Sequence, residues 1–149
     1  MRYAILLAAV MLVLGSGSAW AQLDPYKDYD ISDAVWSMTT VKVDPNMGDD
    51  YLEGLRKTWV AASKVAKELG HIADYAIFRS DLPQSGDFNL MLVVKFDNTA
   101  DLAPNQAKYE AFMKKWGEKR VKQTREITKD YPSMREITGE YLVREITIK

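Results

Sequence analysis

Apolar residues recur along this chain with two different periods, and the switches between them divide it into strands and helices. Val35–Val43 (VWSMTTVKV) alternates and is rich in β-branched and aromatic residues, which predicts a first strand. Asp44 to Gly48 (DPNMG) is a turn cluster. Leu52, Leu55, Trp59, Ala62, Ala66 and Leu69 then recur at steps of three and four, so residues 49–69 read as an amphipathic helix. Asp49 and Asp50 place negative charge at its start, and Gly70 stands where a helix commonly ends in a left-handed residue.

Asp74–Ser80 and Phe88–Phe96 are two further strands joined by a turn over Asp81–Asp87, the pattern of an antiparallel hairpin. A connector over Asn98–Pro104 leads to a second helix marked by Tyr109, Phe112, Met113 and Trp116. Gly117 weakens that helix and leaves open whether it runs on to Ile127, and Pro132 must end it. Ile137–Ile148 reads as the last strand. The order is β-α-β-β-α-β. Arg-Glu-Ile-Thr occurs at 125–128, 135–138 and 144–147, but in a helix and in strands alike, so it is not a structural repeat.

A β-α-β-β-α-β chain folds as a split βαβ, the α+β ferredoxin-like arrangement: a four-stranded antiparallel sheet with two helices on one face. Two helices cover one side of the sheet only. Alternation puts Trp36 and Met38 of the first strand, and Met91 and Val93 of the third, on the uncovered side. These are too apolar to leave in water, and a patch of that kind marks an interface. A homodimer with the two open faces packed together is the simplest solution.

The first residues change the picture of where the protein works. Arg2, the eleven apolar residues Ala4–Leu14 and the Ala19-Trp20-Ala21 triplet match the three regions of a secretory signal peptide. Eleven residues are too few to cross about 30 Å of hydrocarbon. The expected organisation is a signal peptide over 1–21, an N-terminal arm over 22–33 and an α+β domain over 34–149, in a periplasmic or secreted protein. The sequence has no cysteine, so thiolate metal sites, thiol catalysis, lipoprotein anchoring and disulfides are all excluded. The formal net charge is −1, of which Arg2 is lost with the leader. That balance offers no footprint for nucleic acid or for an anionic membrane.

The element order, the face patterning and the segments GDDYLEGLRKTW and KYEAFMKKWGEK resemble the dimeric α/β-barrel superfamily over roughly residues 34–148. That superfamily stacks two ferredoxin-like subunits sheet to sheet. It includes antibiotic-biosynthesis monooxygenases, EthD-like proteins, muconolactone isomerases, NIPSNAP-like proteins and haem-degrading monooxygenases. The resemblance implies a fold and a dimer, and no particular activity. Haem-degrading members use an Asn, a Trp and a His together. Asn89, Trp116 and His71 are present here, but nothing aligns them with that set.

Candidate chemistry is sparse. His71, the sole histidine, follows the first helix, where it serves as a base or simply meets the helix dipole. Trp59 and Trp116 lie on helix stripes and either pack the core or wall a pocket between helix and sheet. Tyr75, Arg79, Lys42 and Asn89 sit on strands, where an Arg grips a carboxylate or enolate and a Tyr donates a proton. No phosphate loop, nucleophile elbow or metal-binding motif occurs, so no cofactor and no metal is expected. The reading is an exported homodimer that binds a small apolar or aromatic ligand beside the sheet, lined by Trp36, Tyr75, Arg79 and His71. One alternative is a cofactor-independent monooxygenase or isomerase in the same pocket, with Tyr75 or His71 moving a proton and Arg79 holding an enolate. Another is a protein-interaction module that uses the open sheet face.

Overall fold

Strand β2 (Val35–Val43) is the hub of the structure. It pairs antiparallel with β4 (Leu90–Phe96) on one side and with β5 (Arg135–Val143) on the other, and β3 (Asp74–Arg79) closes the far edge against β4. The order β3-β4-β2-β5 is that of the split βαβ, so the expected ferredoxin-like α+β sheet is present. This computed structural model describes residues 22–82 and 86–149. Residues 1–21, where a signal peptide is expected, and residues 83–85 between β3 and β4 lie outside the described residues.

The first helix runs from Gly48 to Glu68 in three parts: α1 (Gly48–Leu55), one π-helical turn over Arg56–Val60, and α2 (Ala61–Glu68). The π turn inserts an extra residue and rotates the second half of the helix relative to the first. Leu55 is buried as the periodicity predicts, whereas the other five stripe residues are half-buried. Tyr51, Gly54, Thr58, Ser63 and Val65 take the remaining inward positions. The core joins the sheet to this helix: Val41, Val43 and Leu90 pack with Tyr51, Leu55 and Tyr131.

The second helical region is broken. Asn105 caps α3 (Gln106–Trp116) by accepting a 2.9 Å hydrogen bond from the Lys108 amide. Gly117, with φ 80° and ψ 151°, ends α3 and starts α4 (Glu118–Thr128) in a new direction. Tyr131–Ser133 forms a single 3₁₀ turn around Pro132 before β5 begins.

The last strand is shorter than its sequence suggests. β5 stops at Val143, and β6 (Ile146–Ile148) leaves the sheet to pair with β1 (Tyr29–Ile31) of the N-terminal arm. Arg144 makes the break useful. Its guanidinium donates to the carbonyls of Ser32 and Asp33, at 2.9 and 2.7 Å, and to the Thr99 hydroxyl. The arm is thus held onto the domain.

One irregularity in β5 matters for the site. Thr40 faces Gly139 while Val41 faces Ile137, so Thr138 is an extra residue, a β-bulge. Its hydroxyl donates to the Thr40 hydroxyl at 3.0 Å, and Thr40 donates to the Gly139 carbonyl at 3.3 Å. Gly139, Tyr141 and Val143 lie opposite Thr40, Met38 and Trp36, on the open face. The bulge reverses the alternation, so Ile137 and Arg135 lie opposite Val41 and Val43, on the helix face.

Candidate functional site

The helices do not close fully over the sheet, and a cavity of about 450 Å³ remains between the two layers. Leu92 of the sheet is its floor. The first helix contributes Tyr51, Leu55, Thr58, Trp59 and Ala62, α3 contributes Phe112 and Trp116, and α4 contributes Thr124 and Thr128. Tyr131, Pro132 and Arg135 form one end. Thr58 and Trp59 both belong to the π turn, an element often found where a helix must present residues to a site.

The aromatic walls are ordered by edge and stacking contacts. Tyr51 and Tyr131 meet edge to face with ring centres 5.0 Å apart. Phe112 and Trp116 stack at 5.8 Å, and the Arg120 guanidinium lies 5.1 Å from the Trp116 ring centre. Trp59 packs edge-on against Tyr75 at 5.7 Å. The Tyr131 hydroxyl is 2.6 Å from the Thr58 hydroxyl, which donates its own proton to the Gly54 carbonyl at 2.9 Å. Tyr131 must therefore donate to Thr58. Gly54 leaves room for this: a Cβ there would come within 2.9 Å of the Tyr131 ring.

Both phenols are held neutral. Burial pushes the Tyr51 hydroxyl above its ordinary value, while the neighbouring Arg135 guanidinium pulls the other way. Burial also raises Tyr131, opposed by the nearby Arg135 guanidinium. Two polar atoms of the lining are buried without a hydrogen-bond partner among the described residues: Thr124 Oγ1 and Arg135 Nε. Such atoms carry a desolvation cost that a bound group can relieve.

The four residues singled out from the sequence do not come together. Trp36 is on the open face under the Lys95 ammonium, 5.0 Å from its ring centre. Tyr75 is on the helix face behind Trp59, outside the cavity lining. Arg79 borders a separate hollow of about 440 Å³ beside the β2–α1 turn, 3.9 Å from Asp81. His71 borders a shallow cleft of about 260 Å³ with Phe96 and Lys108. Asn89 has a backbone role: its amide group accepts from Val43 N–H and donates to Val43 C=O, both at 2.8 Å. Asn89, Trp116 and His71 therefore stand in three different places. Trp59 and Trp116 do wall a pocket between helix and sheet. Sequence reasoning passed over Tyr51, Thr58, Tyr131 and Arg135. The one available signal was the cluster of polar and aromatic residues around Pro132.

Among the described residues, no group of three or more His, Cys, Asp or Glu side chains is placed to hold a metal, and no helix is long and apolar enough to cross a membrane. No protein-family model matches the chain, and no curated protein matches it at significant similarity. Three solved structures give the comparison its range. A NIPSNAP family protein of unknown function from Agrobacterium tumefaciens is 13% identical over 75% of this chain and 87% of its own, with a TM-score of 0.48. HapK from Hahella chejuensis is 12% identical over 74% of this chain and 91% of its own, with a TM-score of 0.44. A dimeric protein of unknown function and ferredoxin-like fold from Bacteroides fragilis is 12% identical over 80% of this chain and all of its own, with a TM-score of 0.42. The likeness is one of fold, and the fold itself rests on the strand order of this chain.

Proposed function

We propose that the mature protein, exported and freed of residues 1–21, works as a homodimer that holds a small apolar or aromatic molecule in the cavity between its helices and its sheet. The observation that carries this reading is the lining: about 450 Å³ of space walled by Tyr51, Trp59, Phe112, Trp116 and Tyr131. Volume and composition both suit a small-molecule site. Binding is favoured over proton-transfer chemistry because burial moves the pKa of each phenol nearest the space upward, away from working pH. Export is supported by the leader pattern, and pairing by the apolar side of the sheet that no helix covers.

The test is to fill the cavity. Ala62 lines it from a helix and is half-buried. In Ala62→Phe, the folded protein should bind a naphthalene-sized aromatic at least about tenfold more weakly than wild type, a loss of about 1.4 kcal/mol. Isothermal titration measures it. Equal affinity in a folded Ala62→Phe variant would place the ligand elsewhere.

A further inference from the structure

Arg135 is a charged group with no anion paired to it among the described residues. It is half-buried, it lines the cavity, and its Nε has no hydrogen-bond partner among the described residues. Its surroundings are the Tyr131 ring, 5.9 Å from the guanidinium carbon, and the neutral Tyr51 phenol. It is the one charged residue among the described lining of the cavity. It takes part in no ion pair among the described residues, although nine such pairs form elsewhere. A guanidinium partly withdrawn from water, with its Nε buried and no anion beside it, carries a desolvation cost, and the usual remedy is a carboxylate or comparable anion gripped by its N–H groups.

The placement is specific. The Thr138 bulge alone puts Arg135 on the helix face, because unbroken alternation from Tyr141 would direct it to the open face. The second unpartnered polar atom of the lining, Thr124 Oγ1, belongs to α4. The rest of the lining is mainly aromatic and aliphatic, with Thr58 and Thr128 the other polar side chains apart from the two phenols.

From this juxtaposition we infer that the cavity takes an aromatic anion, with the acid group on Arg135 Nε–H and the Thr124 hydroxyl and the ring among Trp59, Phe112 and Trp116. The inference rests on the small-ligand reading above and adds the chemical class of the ligand. A carboxylate has the acceptor capacity for both groups, while the apolar walls hold the ring. A neutral ligand of the same shape leaves the guanidinium unmatched.

The experiment compares 2-naphthoate with its neutral isostere 2-naphthamide by isothermal titration on the chain lacking residues 1–21. Naphthoate should bind roughly 10- to 100-fold more tightly, the advantage expected of a charge-assisted hydrogen bond. That advantage should vanish as the pH drops below the carboxyl group's own pKa. In Arg135→Met the two should bind within about twofold of each other, with naphthamide unchanged, as expected when only the charge term is removed. If that variant does not fold, the wild-type comparison and its pH dependence decide alone. Equal binding of both probes to wild type overturns the anion site and leaves the small-ligand reading standing. Failure of both probes to bind overturns the two together.

Discussion

Tyr131 shows how a single residue ties the helices to the sheet. Its ring meets Tyr51, its hydroxyl donates to Thr58, and the missing Cβ of Gly54 lets it approach. Replacing Thr58 with Val keeps the shape but strands the Tyr131 proton in a buried place. The expected loss is about 1–3 kcal/mol in urea unfolding, the cost of a buried donor without an acceptor. The same phenols set a pH limit. In the unfolded chain they ionise near pH 10, whereas burial keeps them neutral to higher pH in the native protein. Above pH 10 the unfolded state therefore binds fewer protons, and stability falls as pH rises. Below pH 10 this contribution is intact. Tyr51→Phe and Tyr131→Phe should each flatten the alkaline slope of the unfolding free energy, and an unchanged slope in both would contradict the burial argument.

At the scale of elements, regular stretches were legible in the sequence and irregular ones were not. The alternation in Val35–Val43 and in the Leu90–Phe96 part of the predicted Phe88–Phe96 strand assigned their helix-facing residues because both strands are flanked on both sides and pair with each other without a register shift. The π turn at Arg56–Val60 and the bulge at Thr138 each add one residue to a repeating unit. Neither leaves a local mark, since both are stabilised by distant partners: Tyr131 for the first, Thr40 for the second. Those two insertions also bring Thr58, Trp59 and Arg135 to the cavity lining, which explains why periodicity points to Trp36, Tyr75, Arg79 and His71 rather than to Arg135. Gly117 is different. Its backbone, at φ 80° and ψ 151°, lies in a region almost closed to other residues. Gly117→Ala should cost about 1–3 kcal/mol, read as a lower urea midpoint, while Gly70→Asn, at φ 68°, should be tolerated because Asn visits that region. Equal effects at the two sites would mean that the α3–α4 break does not depend on its backbone angle.

For the whole molecule, the uncovered sheet face is the feature that one chain does not resolve. Val93 is only 1% exposed there, and Trp36, Met38 and Met91 are half-buried, so the centre of the face is better shielded than alternation alone suggests. The most exposed apolar groups on it are at its margins: Phe78 at 56% and Tyr141 at 54%. A second copy laid across this face would cover both. Sedimentation velocity should find a dimer at micromolar concentration, and Tyr141→Glu should shift it to monomer. A wild-type monomer would remove the case for pairing. The joining of β1 to β6 was beyond the sequence because it links residues at opposite ends of the chain.

Residues 22–149 hold three tryptophans, and they divide between the two faces: Trp59 and Trp116 in the cavity, Trp36 on the open side. Their indole N–H signals in a ¹⁵N spectrum report directly on which face takes a ligand. With 2-naphthoate added, the Trp59 and Trp116 signals should move together while that of Trp36 stays in place. Movement of Trp36 alone would contradict a ligand site between the helices and the sheet.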